Sequence, residues 1–311
     1  MSEVRELDFG GRVAIVTGAG QGMGREHAVM LASRGAKVVV NDINSNRAEE
    51  TVKTITDAGG TAVPDSHDIV TKSADLVQNA IDSFGGLDIV VNNAGINAYG
   101  RFWEMDRDLW WKVFDTSFRG VVEVSRSAMP HLIESGSGRL INISSNALMG
   151  LPNDTSYAAA KAAVWGLGNS LAGEARDVGV QVTTLLPVAW TPMTEEAFGD
   201  PLIQQVMRDH FPSSSVSAFV TWLAHQDTTV HGETFEIAGI SAARTAFSAM
   251  PRMQVTEPSP EVWAANAANL TKPGELTPLL KASDSFRAQV VYLAPEMDSQ
   301  LPADAADVSS N

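Results

Sequence analysis

Residues 12–24 read RVAIVTGAGQGMG. The apolar run RVAIV (12–16) leads into a loop holding Gly18, Gly20, Gly22 and Gly24, and a helix-period segment near 23–34 begins inside that loop. β-Branched residues suit a pleated strand, and glycine lets the backbone turn tightly and approach a ligand. Strand, glycines and helix in that order make the helix N-terminus a seat for a phosphate anion. Gly18, Gly22 and Gly24 follow a G-x-x-x-G-x-G spacing. With Gln21 and Met23 they form the candidate cradle for a dinucleotide pyrophosphate. No Lys-Ser/Thr pair follows, which excludes a loop that hydrolyses nucleoside triphosphates.

The alternation continues outward to about residue 186. KVVVN (37–41), LDIVVN (87–92), GRLINIS (138–144) and VQVTTLL (180–186) read as strands, with TAV (61–63) a weaker one. Helical segments fall near 46–58, 72–84, 108–134 and 156–177. Near-continuous Val/Ile runs separated by helices predict an α/β fold, a doubly wound parallel sheet of Rossmann type in a single domain. Residues 187–211 read as a long loop with one short helix, so a substrate lid is expected at about 190–215. A helix over 214–226 and a strand over 233–237 complete the expected domain, residues 1–240. Residues 241–311 form a C-terminal extension, partly helical, in which Ser259 caps a helix over 259–270 and Pro260 starts it. The acidic end, 302–311, reads as mobile.

Composition narrows the function. The 311 residues are 44% hydrophobic, carry a net charge of −15 and include no cysteine. Excess negative charge opposes nucleic-acid binding, which rests on a basic surface. The missing cysteines exclude disulfides, thiolate metal sites and cysteine nucleophiles. No apolar run reaches the length of a membrane span, no secretory signal opens the chain, and the histidines form no metal-ligand cluster, so we expect a cytoplasmic protein without a membrane span or a catalytic metal.

Asp42 ends the second strand, where an acid hydrogen-bonds adenosine ribose hydroxyls and repels a 2′-phosphate, so NAD is expected rather than NADP. Asp68, followed by Ile69, is either a partner for the adenine amino group or a turn aspartate. In SYAAAK, Tyr157 and Lys161 are four residues apart on one helix face. A phenol beside an ammonium is a candidate acid/base, because the positive charge favours the phenolate.

TGAGQGMG, VVVND, NNAG (92–95), a serine at the end of the fifth strand and YAAAK occur in an order that resembles the short-chain dehydrogenase/reductase family over residues 10–240. VVVND, SFRG, PVAWTPMTEE, WLAHQ, HGETFEIAGI and SPEVW…NLTKP are similar to one branch, the dehydrogenase part of peroxisomal multifunctional β-oxidation enzymes (17β-hydroxysteroid dehydrogenase type 4) and its bacterial single-domain relatives. The chain stops near where that branch continues into hydratase and sterol-carrier domains, so dehydrogenase activity alone is expected.

The resemblance implies hydride exchange between NAD and a secondary alcohol or ketone. Tyr157 would be the acid/base, and Lys161 would lower its pKa and hold the nicotinamide ribose. A serine would bind the substrate oxygen. Ser144 has a common family separation from Tyr157, whereas Ser145 holds the usual strand-end position; we favour Ser145 because a strand end is more rigid than the loop that follows. Ser117 stands where the family often has a relay asparagine, and a modified relay or plain packing fits it, with its hydroxyl on the carbonyl four residues back. Asn93, Ala94 and Gly95 would line the cofactor, and Pro187, Val188 and Thr191 would meet the nicotinamide carboxamide. Trp190, Met193 and Phe198 are candidates for an apolar substrate wall. The resemblance also implies a homo-oligomer built on helices 108–134 and 156–177, with a dimer favoured over a tetramer. The substrate expected is a small molecule, a hydroxysteroid or a 3-hydroxyacyl-CoA. Alternatives are a ketoreductase of smaller metabolites and a non-catalytic NAD(H) sensor.

Overall fold

The computed structural model describes residues 6–299. Its central sheet has eight strands, β1 (Val13–Thr17), β2 (Lys37–Asn41), β3 (Thr61–Asp65), β4 (Ile89–Asn92), β5 (Arg139–Ile143), β6 (Gln181–Val188), β7 (Thr234–Ala238) and β8 (Ser241–Arg244). They lie in the order β3-β2-β1-β4-β5-β6-β7-β8. All neighbours pair parallel except β7 and β8. The doubly wound parallel sheet expected from the sequence is therefore present. The antiparallel β8 was not expected, and it carries the sheet to Arg244.

Successive strand residues point to opposite faces, so strands buried on both sides are apolar throughout. Ala14, Val16, Val38, Val40, Ile89, Val91 and Ile141 enter one core with α1 (Gly22–Ser33), α2 (Ser45–Asp57) and α9 (Ser213–Ala224). Val13, Ile15, Val39, Val90 and Leu140 enter the other with α3 (Ser73–Phe84), α5 (Gly120–Glu134) and α6 (Thr155–Ala175). Chain order reverses between β1 and β4, which opens a crevice at the carboxyl ends of these strands.

Two departures bear on the site. The expected helix over 108–134 is α4 (Arg107–Phe114), a π-helical turn (Asp115–Arg119) and then α5, and such turns gather at functional sites. The expected lid has two helices, not one: α7 (Pro192–Ala197) and α8 (Pro201–His210). Each opens on a cap followed by proline. Thr191 shares a capping box with Thr194, and Asp200 Oδ1 accepts from Leu202 N–H at 2.8 Å.

The chain's contacts divide it after Arg244 into two compact units. The second holds α10 (Pro260–Leu270), α11 (Ala282–Leu293) and an antiparallel pair, β9 (Phe247–Ala249) with β10 (Thr277–Leu279). Ser259 Oγ accepts from Val262 N–H at 3.3 Å, the cap expected there. The pair β9/β10 and α11 were not foreseen, and the acidic end lies outside the described residues. Among the described residues no helix is long and apolar enough to cross a membrane.

Candidate active site

The glycine loop is fixed by its close neighbours. A Cβ on Gly18 would lie 2.8 Å from Ala94 Cα, and one on Gly24 would lie 2.2 Å from the Gly18 carbonyl oxygen. Gly18 and Gly22 also have φ of +62° and +56°, the left-handed region. Thr17 Oγ1 accepts from Asn93 and Ala94 N–H, each at 3.0 Å, and Asn93 Nδ2 donates to the Thr17 and Gly18 carbonyls at 2.9 and 3.2 Å. Asn93 thus braces the loop through its side chain, and Thr17 is a brace that the sequence reading passed over.

The cradle fits a pyrophosphate. Gln21 starts α1 without a side-chain cap, which leaves the first-turn N–H groups near Gly22, Met23 and Gly24 for an anion. Asp42 sits beside the loop: Oδ2 accepts from Gly20 N–H and Oδ1 from Asn44 N–H, both at 3.0 Å. Asp68 turns to its own loop instead. It accepts from Val70 N–H at 2.9 Å and from the Thr71 hydroxyl at 3.3 Å, while Ile69 packs under Gly120 of α5. Pro187 and Val188 continue β6 in register with Ile237 and Ala238. Thr191, next in the chain after Trp190, lies within ordinary contact of the position a Gly22 Cβ would take, so the segment after β6 begins against the glycine loop.

α6 brings Tyr157 and Lys161 to the same crevice. Lys161 is buried, and its Nζ donates to the Ile143 carbonyl at 2.6 Å and lies 5.4 Å from the Tyr157 ring centre. Burial lowers the Lys161 pKa to about 8. The two serines part company. Ser144 is buried, donating from Oγ to the Lys161 carbonyl at 2.7 Å. Ser145 Oγ accepts from Ala147 N–H at 3.1 Å and stands beside the Tyr157 phenol, where its hydroxyl favours the phenolate.

The Tyr157 pKa is raised, not lowered as expected from Lys161. Burial, the largest cause, raises it; the Ser145 hydrogen bond lowers it; Asp154 and Tyr99 raise it further. Desolvation of the phenolate sets the direction, and burial likewise disfavours the charge on Lys161.

Ser117 does not bond the carbonyl four residues back. It lies in the π-helical turn, fully buried, where Oγ donates to the Ile96 carbonyl at 3.1 Å and accepts from Ile96 N–H at 3.2 Å. A Cβ on Gly95 would lie 3.3 Å from Ser117 Oγ and 3.5 Å from Lys161 Nζ, so both side chains flank that glycine. Trp190, Met193 and Phe198 are half-buried in the segment after β6, and Arg208 of α8 stacks over the Trp190 ring at 5.1 Å. Sequence reading missed Asn97 and Asp154, whose side chains bond at 3.2 Å beside Tyr157. Neither belongs to a spaced motif.

The family model for short chain dehydrogenases matches residues 12–201. The chain belongs to that family. It is therefore an oxidoreductase that uses a nicotinamide cofactor. Peroxisomal multifunctional enzyme A of Dictyostelium discoideum is 39% identical over 241 residues, which is 74% of this chain and 53% of that protein. The chain spans about half the length, or less, of the multifunctional relatives it matches. The crystal structure of a short chain dehydrogenase from Mycobacterium avium is 31% identical, with a TM-score of 0.76, covering 88% of this chain and 98% of that one. A 7α-hydroxysteroid dehydrogenase complexed with NADH and 7-oxo glycochenodeoxycholic acid is 29% identical, with a TM-score of 0.70, covering 76% and 96%.

Proposed function

We propose that this chain interconverts a bulky, lipid-like secondary alcohol and its ketone, with NAD as cofactor. The observation that carries the chemistry is the Lys161 ammonium 5.4 Å from the Tyr157 ring centre, with the Ser145 hydroxyl near enough to favour the phenolate. The nicotinamide supplies the hydride acceptor in one direction and the donor in the other. Gly18, Gln21, Gly22, Met23 and Gly24 would hold its pyrophosphate, and Asp42 the adenosine ribose. Asn93, Ala94 and Gly95 would line it, with Pro187, Val188 and Thr191 at the carboxamide. Lys161 would hold the nicotinamide ribose.

Tyr157 Oη takes the alcohol proton on oxidation and returns it on reduction, while Ser145 Oγ holds the reacting oxygen as its charge changes. Ser117 sets the position of Ile96 and Gly95 beside Lys161, a changed form of the proton relay. Asp42 supports NAD, since its carboxylate would repel a 2′-phosphate. Asp68 and Ile69 remain our candidates for the adenine end, although the Asp68 carboxylate already closes a turn.

The substrate class follows from the rim. Tyr99, Phe102 and Trp103 after β4, Met149 and Leu151 after β5, and Leu202 and Ile203 in the lid after β6 are exposed. All three segments leave the carboxyl ends of neighbouring parallel strands. Exposed apolar side chains gathered at one mouth suit a hydrophobic ligand. The 7α-hydroxysteroid dehydrogenase complexed with 7-oxo glycochenodeoxycholic acid supports a hydroxysteroid, and the resemblance to multifunctional β-oxidation enzymes supports a 3-hydroxyacyl-CoA. We further propose a homodimer through α4, α5 and α6, where Leu109 and Trp111 are exposed.

NADH absorbance followed with hydroxysteroids, 3-hydroxyacyl-CoAs and small alcohols, each with NAD⁺ and NADP⁺, tests these readings. Turnover of a bulky alcohol with NAD⁺ is expected. Preference for NADP⁺ would overturn the role of Asp42, and turnover of small alcohols alone would overturn the substrate class. Ser145→Ala should abolish activity; activity lost only in Ser144→Ala would reverse the serine assignment.

A further inference from the structure

Asp154 opens α6 at a position where aspartate ordinarily caps a helix, yet its side chain makes no cap hydrogen bond. It turns inward and is 1% exposed. Oδ2 accepts from Asn97 Nδ2 at 3.2 Å, and Oδ1 has no hydrogen-bond partner. A carboxylate left this way costs stability, and groups held at such a cost gather at functional sites.

The surroundings say what it acts on. Tyr157 lies three residues on, on the same side of the helix. The segment after β4 contributes Asn97 and Tyr99, and is tied down again where Gly100 N–H donates to the Asn153 carbonyl at 2.9 Å. Ser145 comes from the segment after β5, Lys161 from α6, and from α7 the charge of Glu196 reaches Tyr99. From α4, the Trp110 indole donates to Thr155 Oγ1 at 3.1 Å. Among the described residues no cationic side chain pairs with Asp154. Its charge therefore acts on Tyr157 without a counterion between them.

We propose that the Asp154 carboxylate is the negative counterweight to Lys161 at Tyr157, a positioning residue that sets how readily the phenol releases its proton. The inference rests on Tyr157 as the acid/base. A phenolate beside a carboxylate is disfavoured, so Asp154 keeps Tyr157 protonated to higher pH than Lys161 and the cofactor alone would allow. Burial raises the Asp154 pKa to about 6, with Asn97 opposing, so the counterweight is present at neutral pH and fades on acidification.

Two readouts test this. In NAD⁺-dependent alcohol oxidation, Asp154→Asn should move the acid limb of the kcat/KM profile to lower pH by about half a unit to one unit. Asp154→Ala should move it the same way, and Asp154→Glu should hold it near the wild-type position. The second readout needs no turnover. The chain has three tyrosines, Tyr99, Tyr157 and Tyr292, so fluorotyrosine labelling gives three fluorine resonances in the NAD⁺-saturated protein, and Tyr157→Phe identifies one. The Tyr157 midpoint should fall in Asp154→Asn while that of Tyr292 stays fixed. An unchanged Tyr157 midpoint in a folded Asp154→Asn protein overturns the proposal. If Tyr157→Phe keeps full turnover while the midpoint still moves, the acid/base reading fails and the electrostatic one stands.

Discussion

The cofactor side of the crevice is made of backbone, whereas the corner around Tyr157 is made of side chains from separate segments. At Gly18 and Gly24 the chain comes so close to Ala94 and to itself that no Cβ fits. Helix N–H groups offer charge without any ionisable residue. Around Tyr157, by contrast, Ser145, Asn97, Tyr99, Asp154 and Lys161 arrive from three stretches of chain, and burial works against every charge among them. A backbone cradle needs no particular side chain beyond glycine, whereas the corner depends on each side chain that enters it.

That contrast can be broken in order of effect. Tyr157→Phe should lower turnover by about 10²–10⁴-fold, with NADH affinity, read by fluorescence titration, nearly unchanged. Loss of NADH binding instead would mean that the two sides are not separable. Gly24→Val should do the reverse, weakening NADH binding strongly and lowering stability by about 1–3 kcal/mol, measured by titration and urea unfolding. Asp42→Ala should erode the preference for NAD⁺ over NADP⁺ by about 1–3 kcal/mol in kcat/KM and lower stability by about 1–3 kcal/mol, since Gly20 and Asn44 N–H lose their acceptor.

The smallest effect is on stability. The folded chain holds the Asp154 proton up to about pH 6, whereas an exposed aspartate releases it near ~4. Between these values the folded state binds more protons, so wild-type stability falls as pH rises. Asp154→Asn should therefore melt a few degrees higher than wild type at pH 7 and show little difference at pH 4. A variant melting lower at both would contradict an uncompensated buried carboxylate.

The same contrast explains what the sequence disclosed. Strands such as KVVVN were legible because burial on both faces demands unbroken apolar runs, and the glycine loop because tight approach demands glycine. The second lid helix was hidden by a composition that resembles a loop, although Asp200 and Pro201 are a cap and a helix start. The π-helical turn at Ser117 left no periodicity to read, since it shifts the helix by one residue within an otherwise regular pattern. On paper only strand register separates Ser144 from Ser145; in the fold Ser144 is buried with its hydroxyl on the Lys161 carbonyl, while Ser145 stands beside Tyr157. Asp154 stands at a cap position and belongs to no motif, and only its inward turn sets it apart.

The most direct test couples both sides in one event. A bulky secondary alcohol deuterated at its carbinol carbon is incubated with the protein and NAD⁺, and the recovered cofactor and ketone are analysed by mass spectrometry. The account requires one deuterium in NADH for each ketone formed, with transfer reduced in Tyr157→Phe although NADH still binds. Ketone without label in the cofactor, or tight NADH binding with no ketone from any alcohol tried, would contradict it.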